Sequence, residues 1–313
     1  MAEVSARRII LDCDPGHDDA MAILLAHGHP GIDLAAITTV AGNHPLEVTT
    51  FNARRVASLA GIRDVPIAAG AASPLLRPLV TAEQIHGEAG LEGFDWPTPE
   101  IDVSPEHAVD LIVELVMSQP GEITLVPIGP LTNIALALRR EPRIAERVRE
   151  VVLMGGSWSR GNQTPAAEFN IFVDPEAAAI VFGAGWPVTM IGLEVTERAL
   201  ATREVLDRIQ GLGSPVARAV AGLLDFYAGQ HRRETGMNDP PVHDPCTVAQ
   251  LVAPELVPLQ PAHVEIELTG THTLGMTVTW FRQLTQRPVN ARVGVGLDAA
   301  GFWDVFVGAL ARI

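Results

Sequence analysis

Apolar, β-branched runs alternate with stretches of helical period along most of the chain. RIILDCD (8–14) predicts a buried strand and DAMAILLAHGH (19–29) a helix. IDLAAITTVAG (32–42) predicts a second strand. EVTTFNARRVASLAG (47–61) predicts a helix closed by Gly61, and VPIAAG (65–70) a third strand. HAVDLIVELVMS (107–118) reads as a helix, with Ser104 a fair N-cap and Pro105 suited to the first turn. EITLVPIG (122–129), EVVLMGG (150–156) and PVTMIGLEV (187–195) read as further strands, with helical sequence between the first two. Repeated β–α alternation with near-continuous apolar strands predicts an α/β fold with a mostly parallel central sheet flanked by helices. No repeat, low-complexity tract or dividing linker is visible. Two stretches, 71–103 and 229–242, read as long polar loops, the second breaking a helix. Such loops are either lids and binding loops or plain surface.

Composition narrows the function. The chain has 313 residues, 47% of them apolar, which suffices for a sizeable core and argues against disorder. Its longest apolar stretches are near ten residues, too short to cross a bilayer, and MAEVSARRII lacks the apolar core of a signal peptide. A soluble, cytoplasmic protein with no membrane partner is the expectation. The formal charge of −15 and the lack of a basic stripe argue against a nucleic-acid partner, because neutralising phosphates requires a basic face. Two cysteines, Cys13 and Cys246, form no disulfide framework and fit a reducing compartment.

The densest chemistry lies in DCDPGHDDA (12–20), which gathers Asp12, Asp14, Asp18 and Asp19 where a strand hands over to a helix. Open α/β sheets bind ligands at the carboxyl ends of their strands. A helix N-terminus there often holds phosphate, but Asp18 and Asp19 suit the dipole and would repel a phosphate. The position therefore favours a cation or a neutral, hydroxyl-rich ligand. Strand alternation places Asp12 and Asp14 on one face. Converging carboxylates need a compensating cation, and oxygen ligands favour a hard ion, Ca²⁺ or Mg²⁺. The spacing fits neither an EF-hand, since His17 stands where glycine is needed, nor an aspartyl-phosphatase motif, since Gly16 stands where threonine or valine is needed. Solvated capping aspartates are the plainer alternative, although a cap needs only one.

Two further clusters stand out. VHDPC (242–246) sets His243 and Asp244 before a helical run, where Asp244 is either a functional carboxylate or an N-cap. AEFNIFVDPEAA (167–178) places Glu168 and Asn170 two apart, hence on one side of an extended segment, or else in a polar loop. It follows LMGGSWSRGN (153–162), whose glycine spacing is not that of a P-loop.

Together these pieces resemble the inosine-uridine-preferring nucleoside hydrolase family, the nucleoside N-ribohydrolases. DCDPGHDDA, TTVAGN (38–43), IHGEAG (85–90), GPLTNIALAL (129–138), VLMGG (152–156), AEFNIFVDPEAA, VHDP (242–245) and HTLGMTV (272–278) run in family order across nearly the whole chain. The resemblance implies a single domain over 1–313 of Rossmann-like character and hydrolysis of the N-glycosidic bond of ribonucleosides. It also implies a bound Ca²⁺ and a homodimer or homotetramer. Carried over position by position, it implies metal ligation by Asp14, Asp19, Asp244 and the main-chain carbonyl of Ile128, where many relatives have threonine. Asp14 would also be the base for the attacking water, with Asn43 beside water and sugar. Asp18 would hold the 2′-hydroxyl region. Asn162, Glu168 and Asn170 would bind the 5′ and 3′ hydroxyls, and Met154 would pack on the sugar. His243 would assist the leaving base, and His86 would lie in a mobile loop over that base.

The chemistry is coherent on its own terms. Positive charge grows on the ribose as the bond breaks, so preorganised carboxylates stabilise it. Ca²⁺ can hold the ribose hydroxyls and a water and lower the water's pKa. Histidine is the natural donor to the departing base near neutral pH. Relatives often place Tyr or Gln on the 229–242 loop. Here His231 stands at that place and either shares leaving-group activation with His243 or is an exposed loop histidine. Broad purine and pyrimidine ribonucleoside use is the expectation. Cys13 and Cys246 are expected to pack as small buried residues near one another, and Asp12 to support the site from behind. The alternatives left open are another ribosyl substrate such as nicotinamide riboside, a calcium-dependent ribose or nucleoside binder without turnover, and a metal phosphohydrolase.

Overall fold

The computed structural model describes residues 6–234, 236–282 and 287–313. Its strands are β1 (Arg7–Cys13), β2 (Ile32–Thr39), β3 (Ile67–Ala69), β4 (Thr124–Pro127), β5 (Glu150–Met154), β6 (Val188–Ile191), β7 (Leu259–Ile266), β8 (Thr277–Trp280) and β9 (Ala291–Gly294). They form one sheet in the order β3-β2-β1-β4-β5-β6-β9-β7-β8. From β3 to β9 neighbouring strands are parallel, and β7 alone is reversed, pairing antiparallel with both β9 and β8. The mostly parallel sheet is thus as the sequence predicts. The antiparallel edge is a finding of the structure.

Continuous apolar runs arise because helices cover both faces of the sheet. In β1, Ile9, Leu11 and Cys13 belong to one apolar cluster, which includes the helices His17–Gly28, Pro245–Val252 and Ala299–Leu310. Ile10 points the other way, into the cluster of the helices Ala108–Ser118, Thr132–Arg140 and Pro175–Phe182. Strand order turns between β1 and β4: the chain builds β2 and β3 on one side and β4 to β6 on the other. Helices diverge from such a point and leave a crevice at the carboxyl ends of the two central strands. No helix of the described residues is long and apolar enough to cross a membrane.

Several expected boundaries move, each for a local reason. The run 187–195 is a strand only to Ile191. Gly192 lies 2.7 Å from the Gly156 carbonyl, measured from where its Cβ would stand, and starts the helix Leu193–Thr196. The helix expected from 107 begins at Ala108, and His107, not Ser104, caps it by accepting the Val109 N–H at 3.2 Å. The stretch 229–242 is not wholly loop, because the helix Pro215–Glu234 runs through its first residues. Gly61 does close its helix, in a left-handed conformation at φ 71°.

Asp12 follows the strand's alternation into the second cluster, where Asn133 meets it. Asn133 Nδ2 donates to Asp12 Oδ1 (2.8 Å) and to the Thr39 carbonyl (3.0 Å), while its Oδ1 accepts the Ala71 N–H (2.8 Å). One buried amide thus joins β1, the end of β2 and the chain beyond β3. Asn133→Leu keeps the volume and removes these bonds. It should destabilise the protein by about 1–3 kcal/mol for each buried group left unpaired, read as a lower urea midpoint at unchanged slope.

Candidate active site

The turn after β1 is built around carboxylates. Asp19 reaches back from the first turn of the helix His17–Gly28 and accepts the N–H groups of Asp14 and Gly16, both at 3.0 Å. Asn43 Nδ2 adds a third bond at 3.2 Å. Asp19 therefore satisfies helix-end donors that would otherwise lack partners, and it fixes the loop. Asp14 sits between two glycines at the ends of β2 and β4. A Cβ on Gly42 would stand 2.1 Å from Asp14 Oδ2, and one on Gly129 2.3 Å from Oδ1, so neither position tolerates a side chain. Oδ2 accepts the Asn43 N–H at 2.6 Å, whereas Oδ1 is buried with no hydrogen-bond partner. Asp12 stands apart, held through Oδ1 by Thr38 (2.6 Å) and Asn133.

Asp18, Asp19 and Asp244 bring carboxylate oxygens within 4.8 Å of one another, all in buried residues. Asp244 stands at the N-cap of the helix Pro245–Val252 but makes no side-chain capping bond, so the capping alternative falls away. Burial pushes the carboxyl groups of Asp14 and Asp244 well above the usual range, and their acidic neighbours push them further. Burial and the Asp18 charge raise Asp19 to about 7. A cluster of buried carboxylate oxygens, with no lysine or arginine among the residues of the adjoining cavity, fits a hard cation. Asp14 lies outside the tightest trio, which includes Asp18 in its place.

A cavity of about 420 Å³ opens beside the trio, lined by Asp18, Asn43, Ile128, Met154, Asn162, Glu168, Asn170 and Asp244 among others. Glu168 caps the short helix Phe169–Val173, accepting N–H groups from Gly156 (2.8 Å), Asn170 (2.9 Å) and Ile171 (3.2 Å). Burial still raises its carboxyl to about 7 against those donors. Asn170 lies within that helix, not in the extended segment expected, and its Nδ2 donates to the Ile128 carbonyl at 2.8 Å. The same nitrogen lies 3.4 Å from Met154 Sδ. Asn162 accepts the Phe169 N–H at 2.9 Å.

The cavity is also lined by histidines. His243 lines the cavity, with Nδ1 on the Thr196 hydroxyl at 2.8 Å. Its N–H points to Asp18 Oδ2 at 3.4 Å, and burial lowers its pKa. His231 also lines the cavity, but from the last turn of the helix Pro215–Glu234 rather than from a loop. It is buried, edge-on to Tyr227 at 4.5 Å, and its burial brings its pKa down to about 4. The alternative of an exposed loop histidine is thereby removed. The spacing Val216, Val220, Leu223, Tyr227, His231 already carried this, since it continues one helical face into the buried region. His86 is buried and also lines the cavity. It ends the short helix Glu83–His86, packs against Gly16 and accepts the His17 N–H at 3.2 Å. Gln84, Ile85, Gln163, Phe169, Tyr227 and Glu234 also line the cavity and were not singled out from sequence. Cys13 and Cys246 are free, buried and in the same apolar cluster.

Residues 9–304 match the family model for inosine-uridine preferring nucleoside hydrolase. The chain is 51% identical over 309 residues to the inosine-uridine preferring nucleoside hydrolase of Crithidia fasciculata, covering 98% of each chain. It is 48% identical over 308 residues to the pyrimidine-specific ribonucleoside hydrolase RihA of Photobacterium profundum, covering 98% of this chain and 99% of the other. Among solved structures, the purine-preferring ribonucleoside hydrolase from Gardnerella vaginalis superposes with a TM-score of 0.92 at 32% identity, covering 97% of this chain and 98% of that one.

The two glycines flanking Asp14 give a test of the packing. Gly42→Ala and Gly129→Ala should each lower stability by about 1–3 kcal/mol through overpacking. Gly308→Ala, with open space where its Cβ would stand, should leave the melting temperature unchanged or raise it.

Proposed function

Because the chain belongs to the inosine-uridine preferring nucleoside hydrolase family, we propose that it hydrolyses the N-glycosidic bond of purine and pyrimidine ribonucleosides and does so with calcium. One observation carries this reading above others: Asp18 and Asp244, from the carboxylate trio, open into the same cavity as His243 and His231. Acid and base equipment thus face one another across a space suited to a small sugar-bearing ligand. The relatives' names span inosine-uridine, pyrimidine and purine preference, which supports use of both base classes.

Asp14, Asp19, Asp244 and the Ile128 carbonyl would hold the ion. When bound, calcium would order the ribose hydroxyls and a water molecule and make that water more acidic. Asp14 Oδ1, buried without a partner, is the base that takes the water's proton. Asn43, fixed on Asp14 and Asp19, stands beside water and sugar. Asp18 accepts from the 2′-hydroxyl. Asn162, Glu168 and Asn170 bind the 5′ and 3′ hydroxyls. Each Glu168 oxygen keeps acceptor capacity beyond its backbone bonds. Met154 packs against the sugar face. As the bond breaks, positive charge grows on the ribose, and the fixed carboxylates stabilise it without reorganising. On the far side His243 donates to the departing base, His231 assists, and His86 closes over it.

A panel of ribonucleosides assayed for released ribose, with and without chelator, tests the activity. Ribose should appear with calcium and fall away with chelator, and its absence with every nucleoside would overturn the proposal. Asp14→Asn should lower kcat by about 10²–10⁴-fold while calcium binding by calorimetry persists.

The carboxyl shifts set a pH dependence. A raised pKa means the folded, cation-free chain keeps a proton that the unfolded chain gives up. Its stability should therefore fall as pH climbs from the ordinary aspartate value of 3.8 to about 7, the range set by Asp19. Calcium must displace these protons, so its affinity should rise over the same range. Calorimetry in two buffers of different ionisation enthalpy should register proton release at pH 6.5 that shrinks by pH 8.5.

A further inference from the structure

Nothing in the chemistry above employs the short helix Leu193–Thr196. Its last residue, Thr196, is fully buried, and its hydroxyl lies 2.8 Å from His243 Nδ1. Among the described residues that ring nitrogen is the one polar partner given for Thr196 Oγ1. The two residues come from distant parts of the chain, yet a pair of main-chain hydrogen bonds clamps their segments together. Ala201 donates to the Pro240 carbonyl (2.9 Å), and Val242 donates to the Ala199 carbonyl (3.0 Å). Leu200 and Pro241 form an antiparallel bridge between them. The backbone of His243 is tied as well, by its N–H to Asp18.

We propose that Thr196 is a positioning residue that fixes the ring of His243 so that Nε2, carrying hydrogen, faces the departing base. This rests on the reading of His243 as the histidine that donates to the leaving group. A buried hydroxyl needs an acceptor for its hydrogen. With Nδ1 in reach, the hydroxyl donates to it, and the ring's own hydrogen is then placed on Nε2. An imidazole held at one nitrogen by a fixed hydroxyl cannot turn its Nδ1 edge to the cavity without breaking that bond. The orientation is the same when both ring nitrogens carry hydrogen, since the hydroxyl's lone pair then accepts from Nδ1. Orientation of a donor by a neighbouring group is worth much of its catalytic effect, because small misplacements are costly in rate.

The test compares two leaving groups. Inosine and uridine release bases that benefit from a donated hydrogen, whereas p-nitrophenyl riboside releases a phenolate that departs unaided. In Thr196→Val, which keeps the shape and loses the hydroxyl, the ratio of kcat on nucleoside to kcat on p-nitrophenyl riboside should fall by about 10–100-fold, a part of what one acid group contributes. KM should move by no more than about twofold, as expected when only a transition-state interaction is lost. Thr196→Ser should restore the ratio. An unchanged ratio in Thr196→Val overturns the proposal, as does an equal loss on both substrates. A second measurement needs no variant of Thr196. Nitrogen NMR of histidine-labelled wild-type protein should show His243, assigned through His243→Ala, with hydrogen on Nε2 when the ring is neutral, and hydrogen on Nδ1 would overturn the assignment. If His243→Ala itself leaves the substrate ratio unchanged, the leaving-group role of His243 fails, and that outcome is separate from the tautomer result.

Discussion

Five aspartates held out of water within one region set the terms for the rest of the molecule. Asp12, Asp14, Asp18, Asp19 and Asp244 are each at most 4% exposed. Like charges in a poorly polarisable interior repel strongly, and each ionised group also loses its hydration. Each carboxylate must therefore find hydrogen bonds, a proton or a cation. Asp12 takes the amide of Asn133 and the hydroxyl of Thr38. Asp19 takes three donors at a helix start, where the dipole also favours it. Among the described residues Asp12 and Asp14 are each satisfied on one oxygen only, and Asp244 forgoes the capping bond its position offers. Beside Asp14, the carboxylates of Asp18, Asp19 and Asp244 lie close enough together to hold a metal ion.

The scaffold makes that concentration possible. The crevice between β1 and β4 is where the sheet order turns, so loops from β1, β2, β4 and β5 all open there. Gly42 and Gly129 let two of these loops close on Asp14 to a distance that no side chain allows. Around this fixed floor the cavity's two walls differ in kind. One wall is a chain of backbone-anchored polar groups, with Glu168 capping and Asn170 within a helix of five residues. The aromatic lining is uncharged in character: His86, Tyr227 and His231 border the cavity, with His86 and Tyr227 stacked on His17 and His231 edge-on to Tyr227. The first suits hydroxyl groups, and the second suits a flat ring.

Burial acts on the two walls in opposite senses. It raises carboxyl pKa values and lowers those of the histidines, because in both cases it disfavours the charged form. Glu168 rises to about 7 while His231 falls to about 4. A ligand that carries growing positive charge on its sugar would draw the carboxylates back to their ionised form. Such a site keeps little net charge until the ligand and ion arrive.

How much of this was legible depends on the range of the interaction concerned. The alternation of apolar strands and helical runs gave the parallel α/β layering, since burial on both faces leaves that mark on every strand. The aspartate-rich turn, the His243–Asp244 pair and the Glu168–Asn170 pair stood out because each is local. The antiparallel edge of β7 and β8 did not, nor did the helical setting of His231, whose polar neighbours masked a spacing that continued from Val216. Sequence alone determined which chemistry is present and roughly where the strands of the parallel part of the sheet lie. Only the tertiary structure decided that Asp12 is turned away onto Asn133 while Asp14 lies between Gly42 and Gly129, and that Thr196 meets His243. Those outcomes depend on groups tens to more than a hundred residues apart, brought together by the order of strands in the sheet, and no local pattern encodes that order.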